Sequence, residues 1–146
     1  RLHNGIDFIA IFRAIYVYQK DNIYQGASTI EQQFIRVVTN RYERSLWRKI
    51  REQLLALLLD FYIKDKNLIA KGYLYIAFYG SGLVGINEFC IRKKIILNNE
   101  LSEKEMLKIV SRLKYPEPLG ESEKWSSKIK ARVNYVSERY RKYFVK

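Results

Sequence analysis

Residues 45–63 read SLWRKIREQLLALLLDFYI, and this stretch decides the fold class. Leu46, Ile50, Leu54, Leu57, Leu58 and Phe61 recur at three- and four-residue steps, the period of one face of an α-helix. Arg48, Lys49, Arg51 and Glu52 are confined to the first two turns, while the second half is apolar nearly all round. Such a helix is expected to run into a core while its charged start opens onto solvent or a cleft.

The same period extends outward in both directions. A helix over about 6–18 crowds Ile6, Ile9, Ala10 and Phe12 to Tyr16 over most of its circumference, which predicts burial. Ser28 and Glu31 have the spacing of a capping box before a helix that reaches about Val38. A further helix is expected over 66–79, ended by Gly80, Ser81 and Gly82, with Gly85 close behind. Ser102 and Glu105 form a second capping box, flanked by Leu101 and Met106 as a hydrophobic staple, and that helix must stop before Pro116. After a polar stretch from Glu117 to Ser127, a basic, tyrosine-rich helix covers about 128–143. The expectation is an all-α chain folded as one domain over residues 1–146, without internal repeats.

Composition bounds the function. An apolar fraction of 48% with two prolines and seven glycines suits a globular core. The formal charge of +12 is spread along the chain, +5 from residues 1–73 and +7 from residues 74–146. It calls for an anionic partner: nucleic acid, a membrane surface or a phosphorylated small molecule. The single cysteine, Cys90, excludes an internal disulfide and sits in an apolar context that suits a buried, inert thiol. The single histidine, His3, excludes a multi-histidine metal site. The apolar run from Leu54 to Ile63 is interrupted by Asp60 and too short to span a bilayer.

Several words then stand in a recognisable order. His3, Asn4, Gly5, Ile6 and Asp7 come first; Gly26, Ala27, Ser28, Thr29, Ile30, Glu31, Gln32 and Gln33 follow; next are Arg48, Lys49 and Glu52, then Tyr73 and Leu74, then Tyr79 to Ile86 with Gly80 and Gly85. Together they resemble glycosyltransferase family 51, the glycan-polymerising domain of bifunctional penicillin-binding proteins and monofunctional transglycosylases, and the likeness continues through Pro116 to Arg132 and Val136. The resemblance implies a helical, lysozyme-like fold. It implies a hexosyltransferase that polymerises lipid-linked disaccharide (lipid II) into glycan strands on the outer face of the bacterial cytoplasmic membrane. The acceptor 4-hydroxyl attacks the donor's anomeric carbon and a lipid pyrophosphate leaves.

By this resemblance Glu52 is the second functional glutamate, near the donor pyrophosphate and associated in some members with a divalent cation, Mg or Mn. Ser28, Thr29, Gln32, Gln33, Arg36, Arg48, Lys49 and Lys66 match substrate-binding positions, with arginine at 36 where the family usually has lysine. Lys66 is preferred to Lys64 by its spacing to Tyr73. His3, Gly5, Gly26, Tyr73, Gly80 and Gly85 match structural positions. The family's proton-accepting glutamate falls seven positions before His3, upstream of Arg1, so impaired turnover is expected of residues 1–146. Glu31 in place of a threonine and Tyr75 in place of an asparagine are further departures. They motivate an alternative: a non-catalytic descendant that binds lipid-linked saccharide or a cell-wall assembly partner.

On periodicity alone Glu52 is an ordinary helix ion pair with Arg48, four residues earlier. Glu31 is accounted for as the capping-box residue. The expected partners are the lipid-linked disaccharide, the growing glycan strand and the membrane surface. The basic residues among the C-terminal tyrosines motivate a nucleic-acid-binding reading only weakly, and no nucleic acid is expected.

Overall fold

The computed structural model describes residues 5–23, 26–97, 101–120 and 122–144. Seven helices lie among them, α1 Phe8–Asp21, α2 Ile30–Val38, α3 Leu46–Tyr62, α4 Lys66–Ile76, α5 Ile86–Lys93, α6 Glu103–Arg112 and α7 Glu123–Phe144. One antiparallel hairpin, β1 Phe78–Gly80 with β2 Leu83–Val84, interrupts the helices between α4 and α5. The contacts group the chain into two compact units, residues 1–74 and 75–146.

In the first unit the helix starts follow from local side-chain chemistry. Asp7 accepts a hydrogen bond from the Ala10 amide at 2.8 Å and opens α1, and Ser45 caps α3 through the Arg48 amide. α1 ends at Asn22, which adopts the left-handed conformation that asparagine tolerates. The N-cap of α2 is Thr29 rather than Ser28: its hydroxyl accepts from the Gln32 amide, and Glu31 is therefore not the far half of a capping box.

Two burial expectations are overturned. α1 buries only Ala10, whereas Phe8, Ile9, Phe12, Ile15 and Tyr16 are exposed. α3 buries Glu52 and Ala56, and the face expected to enter the core, Leu46, Ile50, Leu54, Leu57, Leu58 and Phe61, is open. Trp47 at its start is 80% exposed, whereas Glu52 is 3% exposed. The helical period groups residues on a face correctly, but ion pairing to Glu52 and close backbone approach at Ala56 turn the other face inward. The buried set of this unit is accordingly mixed: Ile6, Ala10, Ala56, Ile69 and Tyr73 beside Thr29, Glu31, Gln32 and Glu52.

The second unit has an apolar core of Ala77, Tyr79, Leu83, Ile86, Phe89, Cys90, Ile95, Leu107 and Ile109. The helix expected to reach Tyr79 stops at Ile76, and Phe78 and Tyr79 form a strand instead. The turn is made possible by Gly82, with φ at 70°, and by Gly80, where a Cβ would lie 2.6 Å from the Glu117 carbonyl oxygen. Gly85 opens α5, which the sequence reading missed, and a Cβ there would fall 2.4 Å from the Tyr75 oxygen. Tyr79 and Phe89 stack at 5.2 Å between centroids.

The Arg112 guanidinium lies over the Phe89 and Trp125 rings, 5.3 and 5.4 Å from their centroids, and donates to Glu117 at 3.0 Å. Lys93 reaches the other Glu117 oxygen at 2.6 Å, so the segment paired with Gly80 is fastened to both α5 and α6. The Ser102 and Glu105 capping box forms as expected. Cys90 is buried, and burial with the nearby Glu105 charge pushes its thiol pKa up, consistent with an inert group. α7 begins at Glu123, five residues before the expected start, and Arg132 and Arg139 both lie against the Tyr135 ring.

Candidate functional site

α2 and α3 pack so that side chains sixteen to twenty-one residues apart in sequence meet around one carboxylate. Glu52 accepts two hydrogen bonds from Arg36, Nε to Oε2 at 3.0 Å and Nη2 to Oε1 at 2.9 Å, the paired geometry that a planar guanidinium favours. Arg48 bonds the same Oε2, and Lys49 Nζ reaches Oε1 at 2.9 Å. Lys49 Nζ also donates to Ser28 Oγ at 3.0 Å and to Gln32 Oε1 at 2.9 Å. The carboxylate is buried, while the side chains of Arg36, Arg48 and Lys49 keep 27%, 17% and 34% of their surface accessible. Three cations around one anion leave a residual charge of +2. Arg41 and Arg51 line a recess beside this cluster, together with Ile35, Thr39 and Leu55.

Burial by itself would raise the Glu52 pKa, but hydrogen bonds from Arg36 and Lys49 and their charges outweigh it and hold the carboxyl below its ordinary 4.5. Glu31 and Glu117 are lowered in the same way, each against burial, by Lys66 and by Lys93 with Arg112. A folded-state pKa below the unfolded one means that the unfolded chain binds more protons in the window between them. Stability from these three groups is therefore complete above pH 4.5 and lost as pH falls through the lowered folded values. Denaturant midpoints followed by circular dichroism should be level from pH 7 to about 5 and drop steeply below pH ~4; a midpoint that stays level to pH ~3 contradicts this.

A second cluster adjoins the first. Lys66 Nζ donates to Glu31 Oε1 at 2.9 Å and to Asp60 Oδ1, which makes Glu31 half of a buried ion pair. Gln33 is turned away from Lys49, its Oε1 accepting from the Tyr73 hydroxyl at 3.0 Å, and burial raises the Tyr73 pKa. Thr29 Oγ1 and Gln32 Nε2 both donate to the Gly5 carbonyl, at 2.8 and 3.4 Å. The segment at the head of the chain is thereby tied to the start of α2.

The sequence profile described as Transglycosylase matches residues 1–141. The chain belongs to the transglycosylase family. It is 33% identical over 94% of its length to penicillin-binding protein 1A of Rickettsia prowazekii, of which it covers 18%. It is 36% identical over 69% of its length to penicillin-binding protein 1B of Vibrio cholerae, of which it covers 13%. Over 58% of its length it is 35% identical to the biosynthetic peptidoglycan transglycosylase of Nitrosomonas eutropha, of which it covers 34%. The chain thus spans less than a fifth of these penicillin-binding proteins and about a third of that transglycosylase. The seven helices among the described residues agree with the helical, lysozyme-like transglycosylase domain.

Among the transglycosylase positions singled out by sequence, the structure brings Ser28, Gln32, Arg36, Arg48, Lys49 and Glu52 together. Thr29 caps α2 and anchors Gly5, Gln33 bonds Tyr73, and Lys66 is engaged by Glu31 and Asp60. Gly5 and Gly85 have positive φ and no room for a side chain, and Gly80 has no room either; nothing lies within 4 Å of a Cβ at Gly26, where the structure gives no reason for glycine. His3 lies outside the described residues.

A divalent cation at Glu52 does not fit the donor set. Both carboxylate oxygens already accept from cations, and no group of three His, Cys, Asp or Glu side chains among the described residues could hold an ion. Glu52 instead arranges the three cations. Sequence reading missed Asp60 as a partner, although a carboxylate inside an apolar run signals that a cation must meet it. It also missed Arg41, whose place beside the recess depends on how α2 and α3 pack.

Proposed function

We propose that the cluster around Glu52 is the donor-pyrophosphate half of a peptidoglycan glycosyltransferase site, in a protein that joins lipid-linked disaccharides into glycan strands at the outer face of the cytoplasmic membrane. One observation carries the reading: three cations converge on one buried carboxylate beside Ser28 and Gln32, with a net excess of positive charge and each side chain partly accessible. In the reaction the acceptor 4-hydroxyl bonds to the donor's anomeric carbon, the bond from that carbon to the lipid pyrophosphate oxygen breaks, and negative charge builds on the leaving group. Preorganised cations aimed at that charge stabilise it without reorganising. Arg36 contributes a delocalised guanidinium charge whose Nε and Nη2 are held by Glu52, and Lys49 a compact charge. Only the leaving-group half of the reaction is assigned to these residues.

The apolar faces of α1 and α3 support a membrane surface as the place of action. Phe8, Phe12, Leu54, Leu58 and Phe61 are exposed in a chain of net charge +12, a combination suited to an anionic bilayer surface. No helix among the described residues is long and apolar enough to cross a membrane.

Titration of inorganic pyrophosphate tests the reading. Lys49→Met and Arg36→Met should each weaken binding by roughly tenfold or more, the loss of one charge-assisted contact. Affinity unchanged in both refutes the assignment. The second reading, a saccharide-binding descendant without turnover, draws on Glu31, whose charge is not part of the family pattern. It predicts that the full-length protein binds lipid-linked disaccharide saturably and forms no polymer.

A further inference from the structure

Lys66 is the matched cation that does not join the Glu52 cluster, and its two partners are both carboxylates. Resting on the donor-pyrophosphate reading, we propose that Glu31 is an internal counter-anion that withholds Lys66 from the donor's phosphates and sets a lowered anion affinity for the cleft.

Glu31 stands in the first turn of α2 and is 3% exposed. Its Oε1 accepts from Lys66 Nζ at 2.9 Å, and its Oε2 is buried with no hydrogen-bond partner. A buried carboxylate so sparsely satisfied is strongly dependent on the cation it has. Asp60 holds the same ammonium from the last turn of α3, so Lys66 is fixed from two elements while about a third of its side chain remains accessible. An incoming phosphate must displace carboxylates that are already desolvated and in place.

The charges lead to the same conclusion. Glu31, Asp60 and Lys66 sum to −1, and Arg36, Arg48, Lys49 and Glu52 to +2. The two clusters are fastened to consecutive residues, Glu31 with Lys66 and Gln32 with Lys49, so their fields overlap within about one Debye length. A pyrophosphate approaching both meets +1 where it would meet +2 without Glu31. The capping role does not require this carboxylate, since Thr29 supplies the cap.

The test uses inorganic pyrophosphate and the full-length protein. Glu31→Gln, which keeps the shape and removes the charge, should bind it roughly five- to twentyfold more tightly, with the gain shrinking at high salt. Adding Lys66→Met to Glu31→Gln should erase that gain. In protein with nitrogen-15-labelled lysine, pyrophosphate should shift the Lys49 Nζ signal of the wild type and leave that of Lys66, whereas in Glu31→Gln both should move. A folded Glu31→Gln protein of unchanged affinity overturns the proposal, as does a wild-type Lys66 signal that moves as far as that of Lys49. Where the variant does not fold, the wild-type spectra decide alone. If pyrophosphate shifts no lysine in any form, the donor-pyrophosphate reading falls with this one. If Lys49 responds and Glu31→Gln gains nothing, only the role of Glu31 falls.

Discussion

Glycan-strand formation by the full-length protein is expected to fall at least about a hundredfold when Glu52 becomes glutamine, a loss of some 3 kcal/mol of transition-state stabilisation. Glutamine is nearly isosteric, so the change isolates the charge. Arg36, Arg48 and Lys49 then lose their shared anion and repel one another across the space it occupied. Removing one member of a buried pair costs about 3–5 kcal/mol, and the partial exposure of the three cations reduces this to about 2–3 kcal/mol of folding stability. The residual positive charge rises by one, so pyrophosphate binding should persist while turnover collapses. That divergence marks Glu52 as the residue that positions the cations. Wild-type polymerisation together with a wild-type denaturant midpoint contradicts both halves of the expectation.

Gly5→Ala is expected to be nearly as damaging, for a backbone reason. Gly5 has φ at 74°, and a Cβ added there would lie 2.5 Å from the Ala56 oxygen and 2.8 Å from its carbonyl carbon. Both obstacles are main chain of α3 and cannot rotate aside. The left-handed conformation alone costs an alanine about 1–2 kcal/mol, and relieving the clash would pull the Gly5 carbonyl from Thr29 and Gln32, for a total of about 3–4 kcal/mol. Gly26→Ala is the matched control. Nothing lies within 4 Å of its Cβ, so the change should stay within about 0.5 kcal/mol of wild type. Equal effects at the two glycines in urea unfolding would show that the packing of the first motif against α3 does not matter.

Much of the site could be read before any fold was known because it rests on helical spacing. Arg48, Lys49 and Glu52 share one side of a helix by their separations of three and four residues. The resemblance carried by Ser28, Gln32 and Arg36 named the other members. Glu31 was misread because local spacing satisfies a capping box, and only the nearness of Lys66, thirty-five residues away, shows a stronger partner. Gln33 was grouped with Gln32 by the family resemblance; neighbours on a helix point about 100° apart, and Gln33 meets Tyr73. The hairpin at Phe78 to Val84 escaped because a two-stranded element this short has little periodicity to detect.

The amino-acid order by itself determined six of the seven helices among the described residues, some of their ends and the family to which the chain belongs, since caps, glycines and a period of 3.6 act between residues close in the chain. Which face of each helix turns inward was decided only by tertiary structure. Periodicity says that leucines on α3 share a side, and it is silent on whether another element covers them. The buried side belongs to Glu52 and Ala56, because a carboxylate that gathers cations from two helices, and a main chain pressed against Gly5, fill that space ahead of the leucine face.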